Sequence, residues 1–229
     1  LILHRSNVTP KNRDFSRDAD SVLTHLFARS ISVRITPALS DTNVTPMQVT
    51  MAGLAFGLLA ALIASFNIWY CNLIAALLME TSHVLDCVDG ELARLTGRGN
   101  SFAAAMDPIT DRMKDVSLIL AAYITSVDSG VFGLSIFFIS VVAILTTGLW
   151  LLYMYIVDTF LNPARKLNSD QKKSNHKQIY LGLYDLFIYG SIVFWITNFF
   201  HFFLFFVLIL AFLGTAIQIV RLRIALTTC

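Results

Sequence analysis

From Thr45 onward the chain is dominated by apolar runs, the first of them about twenty residues long, which is enough to cross a bilayer core as a helix. Composition agrees: 56% of residues are hydrophobic, 18 are Phe, and 14% are charged, well below the roughly 25% of a soluble domain. The chain therefore reads as an all-α integral membrane protein. A net charge of +2 gives no reason to expect nucleic acid as a partner. Cys71, Cys87 and Cys229 show neither metal-ligand spacing nor a disulfide framework, so they are read as plain thiols.

Thr45-Pro46-Met47-Gln48 is a capping box with proline at the first helical position, so the first span begins there and runs to about Phe66. A second begins near Trp69. Its apolar character ends around Leu78, yet nothing breaks the helix before Thr96 or Gly97, so the half from Glu80 to Arg94 leaves the hydrocarbon or lines a wet cavity. A third starts between Ser101 and Asp107 and continues to about Val127. Pro108 either follows an Asp107 cap or kinks a helix begun at Ser101. Spans at about 131–157, 179–200 and 201–225 bring the total to six. The Tyr and Phe of the last two are expected to face lipid. Gly53 and Gly57 form a small-xxx-small pair that favours close helix packing, with a helix of this chain or of a second copy in a homodimer.

With these spans, all 17 Lys and Arg precede the first, lie between the second and third or in their adjoining halves, lie between the fourth and fifth, or end the sixth. The positive-inside rule then places both termini on the cytoplasmic side. Residues 1–20 read as a polar tail or linker, and no cleavable signal peptide is visible among them. Residues 21–42 read as a juxtamembrane amphipathic helix in the interface. There Val22, Leu23, Leu26, Phe27, Ile31, Ile35 and Leu39 recur at helical spacing beside Arg29 and Arg34, with a break near Pro37. Residues 43–229 read as a six-helix transmembrane domain, the catalytic one if the acidic motif described next is a site.

The chemistry concentrates between Asp86 and Asp111. Asp86, Asp89, Gly90 and Ala93 share one helix face, and Asp107 and Asp111 lie one turn apart on another helix. Four carboxylates beside hydrocarbon repel one another and are costly, so the pattern implies divalent cations, and oxygen-only ligands suit Mg, Mn or Ca. Two such ions can bridge a diphosphate and stabilise a leaving phosphate while a hydroxyl attacks the other phosphorus. Gly90 leaves room for a phosphate or sugar, and Arg94, one turn on, offers a planar donor fork. Asp111, at the edge of the cluster, is the natural general base. Asp115 is expected to partner Lys114 or Arg112, and Glu80 and His83, at i and i+3, are placed to hydrogen-bond each other.

These residues resemble the signature of the CDP-alcohol phosphotransferase family: Asp-x-x-Asp-Gly-x-x-Ala-Arg, a spacer, then Gly-x-x-x-Asp-x-x-x-Asp. Seven of the eight fixed positions match. The second glycine is replaced by Ala103, whose methyl sits where the family helix lies close to the nucleotide. The resemblance implies that Asp86, Asp89, Asp107 and Asp111 bind two Mg2+ or Mn2+ ions and that Asp111 is the base. It implies transfer of a phospho-alcohol from a CDP-alcohol to a hydroxyl, with release of CMP, in phospholipid or polar phosphodiester synthesis. It also favours the reading in which Pro108 lies inside the third helix. Asn43, Thr45, Pro46 and Thr50 match a family segment beside the nucleotide, and Asp89, Gly90, Ala93, Arg94 and Ala103 complete that site.

Arg112, Lys114, Arg165, Lys166, Arg221 and Arg223 lie on the same membrane side and form a candidate pocket for a phosphorylated acceptor. Two features tilt the acceptor toward inositol phosphate rather than glycerol phosphate or a lipid: Glu91 within the acidic motif, and the segment Ser30-Ile31-Ser32-Val33-Arg34-Ile35-Thr36. Both resemble the family's inositol-phosphate-handling branch. That branch sometimes carries an upstream nucleotidyltransferase domain, which suits a chain starting at Leu1. Two other readings compete, a divalent-cation transporter lined by the aspartates and an inactive family member acting as a scaffold.

Overall fold

The computed structural model describes residues 19–99, 101–161, 178–180 and 182–227. Most of the polar tail, Arg165, Lys166 and Cys229 lie outside them. Two three-residue strands, β1 (Ala19–Ser21) and β2 (Gln178–Tyr180), pair in parallel and tie the start of the chain to the approach of a late helix. The helices are α1 (Val22–Leu26), α2 (Ala28–Ser40), α3 (Pro46–Ala64), α4 (Trp69–Thr96), α5 (Ser101–Asp128), α6 (Ile136–Ile156), α7 (Leu183–Ile196) and α8 (Phe203–Thr227).

Four of these, α3, α4, α6 and α8, are long and apolar enough to cross a bilayer. The protein is an integral membrane protein. α7 is apolar but has only 14 residues, and the 28 residues of α5 carry the charges of the acidic motif.

Local sequence explains the helix ends. Thr45 Oγ1 accepts from the Gln48 amide at 3.3 Å while Gln48 Oε1 accepts from the Thr45 amide at 2.9 Å, the reciprocal capping box that starts α3. α4 runs without interruption to Gly97, whose left-handed φ of 65° closes the last turn. α5 begins at Ser101 and passes through Pro108, the second of the two readings. Ala104 and Pro108 are both exposed, so the carbonyl freed by the missing N–H is not trapped in the core.

The expected break near Pro37 is absent. α2 continues through it to Ser40, and the chain bends instead at Phe27, where φ is −102° and ψ −77°. Pro37 lies in the last turns of α2, and the preceding Thr36 is pinned to α4 by its side chain, which holds that turn helical.

Gly53 and Gly57 serve packing within the chain. A Cβ on Gly53 would lie 3.4 Å from the Ser82 carbonyl oxygen, and one on Gly57 would lie 2.8 Å from Lys114 Cγ, so α3 approaches both α4 and α5 closely. The Ser82 hydroxyl donates to the Gly53 carbonyl at 2.7 Å across that contact.

Beyond it lies an aromatic core. Trp150 stacks on Phe187 with ring centroids 4.3 Å apart, and Trp195, Phe200 and Phe203 are also fully buried. The expectation that the aromatics of the last two helices face lipid therefore fails for Phe187, Phe200 and Phe203, while it holds as exposure for Phe199 and Phe212. Ring stacking between α6, α7 and α8 gives these side chains dispersion contacts that a fluid acyl chain does not match.

Candidate active site

α4 carries Asp86 and Asp89 one turn apart, and α5 brings Asp107 up beside them. One carboxylate oxygen from each of the three falls within 4.8 Å of the others. Asp111 stands next to this group, joined through Lys114: the Lys114 ammonium is 2.8 Å from Asp111 Oδ1 and 3.4 Å from Asp86 Oδ1. α3 contributes Thr50, whose hydroxyl donates to Asp89 Oδ2 at 2.5 Å and fixes that carboxylate's orientation. A Cβ on Gly90 would meet Arg94 Nη1 at 3.3 Å, so the absence of a side chain there is what lets the guanidinium fold back toward the cluster.

Lys114 balances one of the four negative charges. The remaining oxygens are hard donors clustered from two helices, and this donor set fits a divalent cation of the Mg or Mn kind better than it fits an apo bundle.

The carboxylates open into a cavity of about 620 Å³ that all four aspartates, Gly90 and Arg94 line. Its other walls carry Arg29, Arg112, Arg221, Tyr184, Asp185 and Gln218. Arg112 and Arg221 thus line the same cavity as the carboxylates. Lys114 does not, being drawn into the carboxylate group, and Arg223 is exposed and outside the lining.

Of the residues assigned to the nucleotide, Thr50 reaches the cluster through Asp89. Asn43 and Thr45 are exposed at the start of α3, with Thr45 occupied as a cap, and Pro46 is buried in its first turn. Ala93 and Ala103 are half-buried on α4 and α5, outside the cavity lining.

Several partnerships were not legible in sequence. Glu91, fully buried, accepts from Arg29 Nη1 and the Ser32 hydroxyl at 2.7 Å each and from the Thr36 hydroxyl at 2.5 Å, which fastens α2 to α4. Asp115 has the expected partner in Arg112, with Nη1 at 3.4 Å, but its second contact, Trp150 Nε1 at 3.0 Å, was not foreseen and braces α5 against α6. His83 does not bond Glu80. Its Nε2 lies 3.0 Å from Thr24 Oγ1 on α1, and both Glu80 oxygens lack a hydrogen-bond partner among the described residues. Asp185, in the first turn of α7, gave no local signal beyond a favourable place in the helix dipole.

The CDP-alcohol phosphatidyltransferase family profile matches residues 43–227, from the α3 cap through α8. The chain belongs to this family. A bifunctional IPC transferase and DIPP synthase from Aquifex aeolicus is 32% identical over 102 residues, which cover 44% of this chain and 23% of that protein. An archaetidylinositol phosphate synthase from Pyrococcus horikoshii is 33% identical over 87 residues, 38% of this chain and 44% of that protein. A second bifunctional IPC transferase and DIPP synthase, from Thermococcus kodakarensis, is 35% identical over 107 residues, 46% and 24% respectively. The chain spans less than half the length of each of these CDP-alcohol phosphatidyltransferase relatives.

Proposed function

We propose that this protein transfers a phospho-alcohol group from a CDP-alcohol to a hydroxyl acceptor and releases CMP, in the synthesis of an inositol phospholipid or a related phosphodiester. The observation that carries this is the meeting of Asp86, Asp89 and Asp107 within 4.8 Å, with the Asp111–Lys114 pair beside them, in a cavity that also presents Arg112 and Arg221. Family membership and the names of the relatives point the same way.

Asp86, Asp89, Asp107 and Asp111 would hold a pair of Mg2+ or Mn2+ ions, whose chemistry is to neutralise a diphosphate and its leaving oxygen. Arg94 orients phosphate oxygens with its donor fork, and Thr50 keeps Asp89 from rotating away. Asp111 accepts the proton of the acceptor hydroxyl as its oxygen bonds to the alcohol-bearing phosphorus. The P–O bond to the CMP phosphate then breaks, and CMP leaves with the electron pair. Lys114 holds Asp111 at the edge of the carboxylate group for this step.

α3 to α8 are the six crossings, with the cavity and both termini on the cytoplasmic side. α1 and α2 lie in the interface: Arg29, Ser32 and Thr36 are buried against α4, while Leu26, Phe27, Ile31 and Ile35 are exposed toward the acyl boundary.

The test is CMP release by purified protein from CDP-diacylglycerol and from CDP-inositol, each with several polar and lipid acceptors, with and without Mg2+. Release that requires both the divalent ion and an acceptor is expected. Absence of release from every CDP-alcohol overturns the reading.

A further inference from the structure

One cavity wall, built by α1, α7 and α8, has polar chemistry that neither phosphate binding nor metal binding uses. Asp185 on α7 is 3% exposed and lines the cavity. Its Oδ1 accepts from the Ser21 hydroxyl at 2.5 Å and from the Thr24 hydroxyl at 3.1 Å. Thr24 has one proton, and Asp185 receives it, so Thr24 Oγ1 must accept from His83 Nε2 at 3.0 Å. Everything on the Oδ1 side is therefore satisfied. Oδ2 has no hydrogen-bond partner among the described residues, although it is buried. Gln218 on α8, 5% exposed and lining the same cavity, likewise has an unpartnered Oε1. A glutamine amide can turn end for end, so Gln218 can offer either a donor or an acceptor.

A buried carboxylate oxygen without a donor costs about 1–3 kcal/mol or more unless something supplies the missing hydrogen bond. A phosphate cannot, because it brings negative charge and acceptor oxygens. A hydroxyl can. Arg112 and Arg221 in the same cavity provide the cationic counterpart for a phosphate.

We propose that Asp185 is a specificity-determining residue, which accepts from a non-reacting hydroxyl of the phosphorylated acceptor and so favours a polyol over a lipid alcohol. This rests on the transferase reading for the identity of the cavity. Asp185 Oδ2 accepts from a non-reacting hydroxyl, Gln218 contacts a neighbouring one, and the guanidinium groups take the phosphate. A lipid alcohol, without vicinal hydroxyls, leaves Oδ2 unmatched. Ser21 and Thr24, the latter backed by His83, hold the carboxylate of this cavity-lining residue through Oδ1 and leave Oδ2 as its uncommitted acceptor.

The substitution that isolates this role is Asp185→Asn. It retains Oδ1 for Ser21 and Thr24, and so keeps α1 docked, but puts a donor where the acceptor needs an acceptor. Titration calorimetry of myo-inositol 1-phosphate into detergent-solubilised protein with Mg2+ is expected to show binding about 10- to 100-fold weaker in Asp185→Asn than in the wild type, the factor for one lost charge-assisted hydrogen bond. CDP affinity and melting temperature stay as in the wild type. Asp185→Ala, which also releases Ser21 and Thr24, loses melting temperature as well. Equal inositol phosphate affinity in wild type and Asp185→Asn, or no binding by the wild type, overturns the proposal. A CMP-release assay run alongside separates it from the transferase reading. Weaker binding in the variant with no CMP formed by either protein sustains hydroxyl recognition and sinks the transferase reading. CMP formed with the same acceptor KM in both proteins does the reverse.

Discussion

Arg29 and Glu91 form a buried ion pair, Nη1 to Oε1 at 2.7 Å, with side chains 7% and 0% exposed. It is the anchor by which α2 sits on α4, two residues beyond Asp89. Removing one partner of such a pair strands the other charge, at a cost of about 3–5 kcal/mol, whereas replacing both with apolar groups is close to neutral. Glu91→Ala is therefore expected to lower the melting temperature sharply in detergent, and Arg29→Met with Glu91→Leu to recover most of the loss. The hydroxyls freed in the double variant have a fallback, since Ser32 already points at the Arg29 carbonyl at 3.3 Å and Thr36 at the Ser32 carbonyl at 3.0 Å. Additive losses in the double variant would refute a coupled pair.

The carboxylate cluster predicts stabilisation by metal. A ligand that binds only the folded state at a hundred times its Kd adds about 2.7 kcal/mol. Mg2+ or Mn2+ is expected to raise the melting temperature of the wild type, and a chelator to reverse this and stop CMP release. Asp89→Asn should abolish the metal-dependent shift because it removes an oxygen ligand held in place by Thr50. A shift of equal size in that variant would mean the ions bind elsewhere.

Asp111 separates from the other three by its partner. Its Oδ1 pairs with Lys114 rather than joining the tightest oxygens. Asp111→Asn is expected to cut CMP release by about 10²- to 10⁴-fold, the usual worth of a positioned general base, with little change in melting temperature. Turnover within a factor of a few of the wild type would remove it from proton transfer.

How much of this was legible in the chain follows the range of each interaction. The α3 cap, the uninterrupted α4 and the aspartate spacing are written within a few residues of one another, and local rules of capping and helical period suffice to read them. The contacts that join α1 to α7 and α2 to α4 are not local. Asp185 meets Ser21 across 164 positions and Glu91 meets Arg29 across 62, so each looks alone like a solvated acid near a helix end. The ion pairs of Lys114 are hidden for the same reason: beside Arg112 it looks like part of a basic patch, and only the approach of α3 and α4 turns it toward Asp86 and Asp111. The polar face of α2 illustrates the converse. Amphipathic spacing showed that two faces exist, but not that the polar one is buried and the apolar one exposed, which depends on Glu91 waiting on the neighbouring helix.

Gly53 and Gly57 look equivalent in the sequence but not in the structure, and this yields a paired prediction. A methyl on Gly53 meets the Ser82 carbonyl oxygen at 3.4 Å and Leu85 Cβ at 3.5 Å, which is close but tolerable. Alanine also gains up to about 1 kcal/mol over glycine inside a helix, so Gly53→Ala is expected to leave stability and turnover nearly unchanged. A methyl on Gly57 would overlap Lys114, at 2.8 Å from Cγ and 2.9 Å from Cδ, with Ser82 Oγ 3.1 Å away on its other side. The lysine stem must move, and its ammonium then leaves the position between Asp86 and Asp111. The helix propensity gained offsets part of an overpacking cost of about 1–3 kcal/mol, so the stability change is modest. The effect on the site is not, because Asp111 loses the group that holds it. Gly57→Ala is expected to lose CMP release at least about tenfold more than Gly53→Ala, the scale of one misplaced charge-assisted contact. Kinetics of the two variants at matched melting temperature decide the point, and equal turnover would show that the close approach of α3 to Lys114 has no part in setting the site.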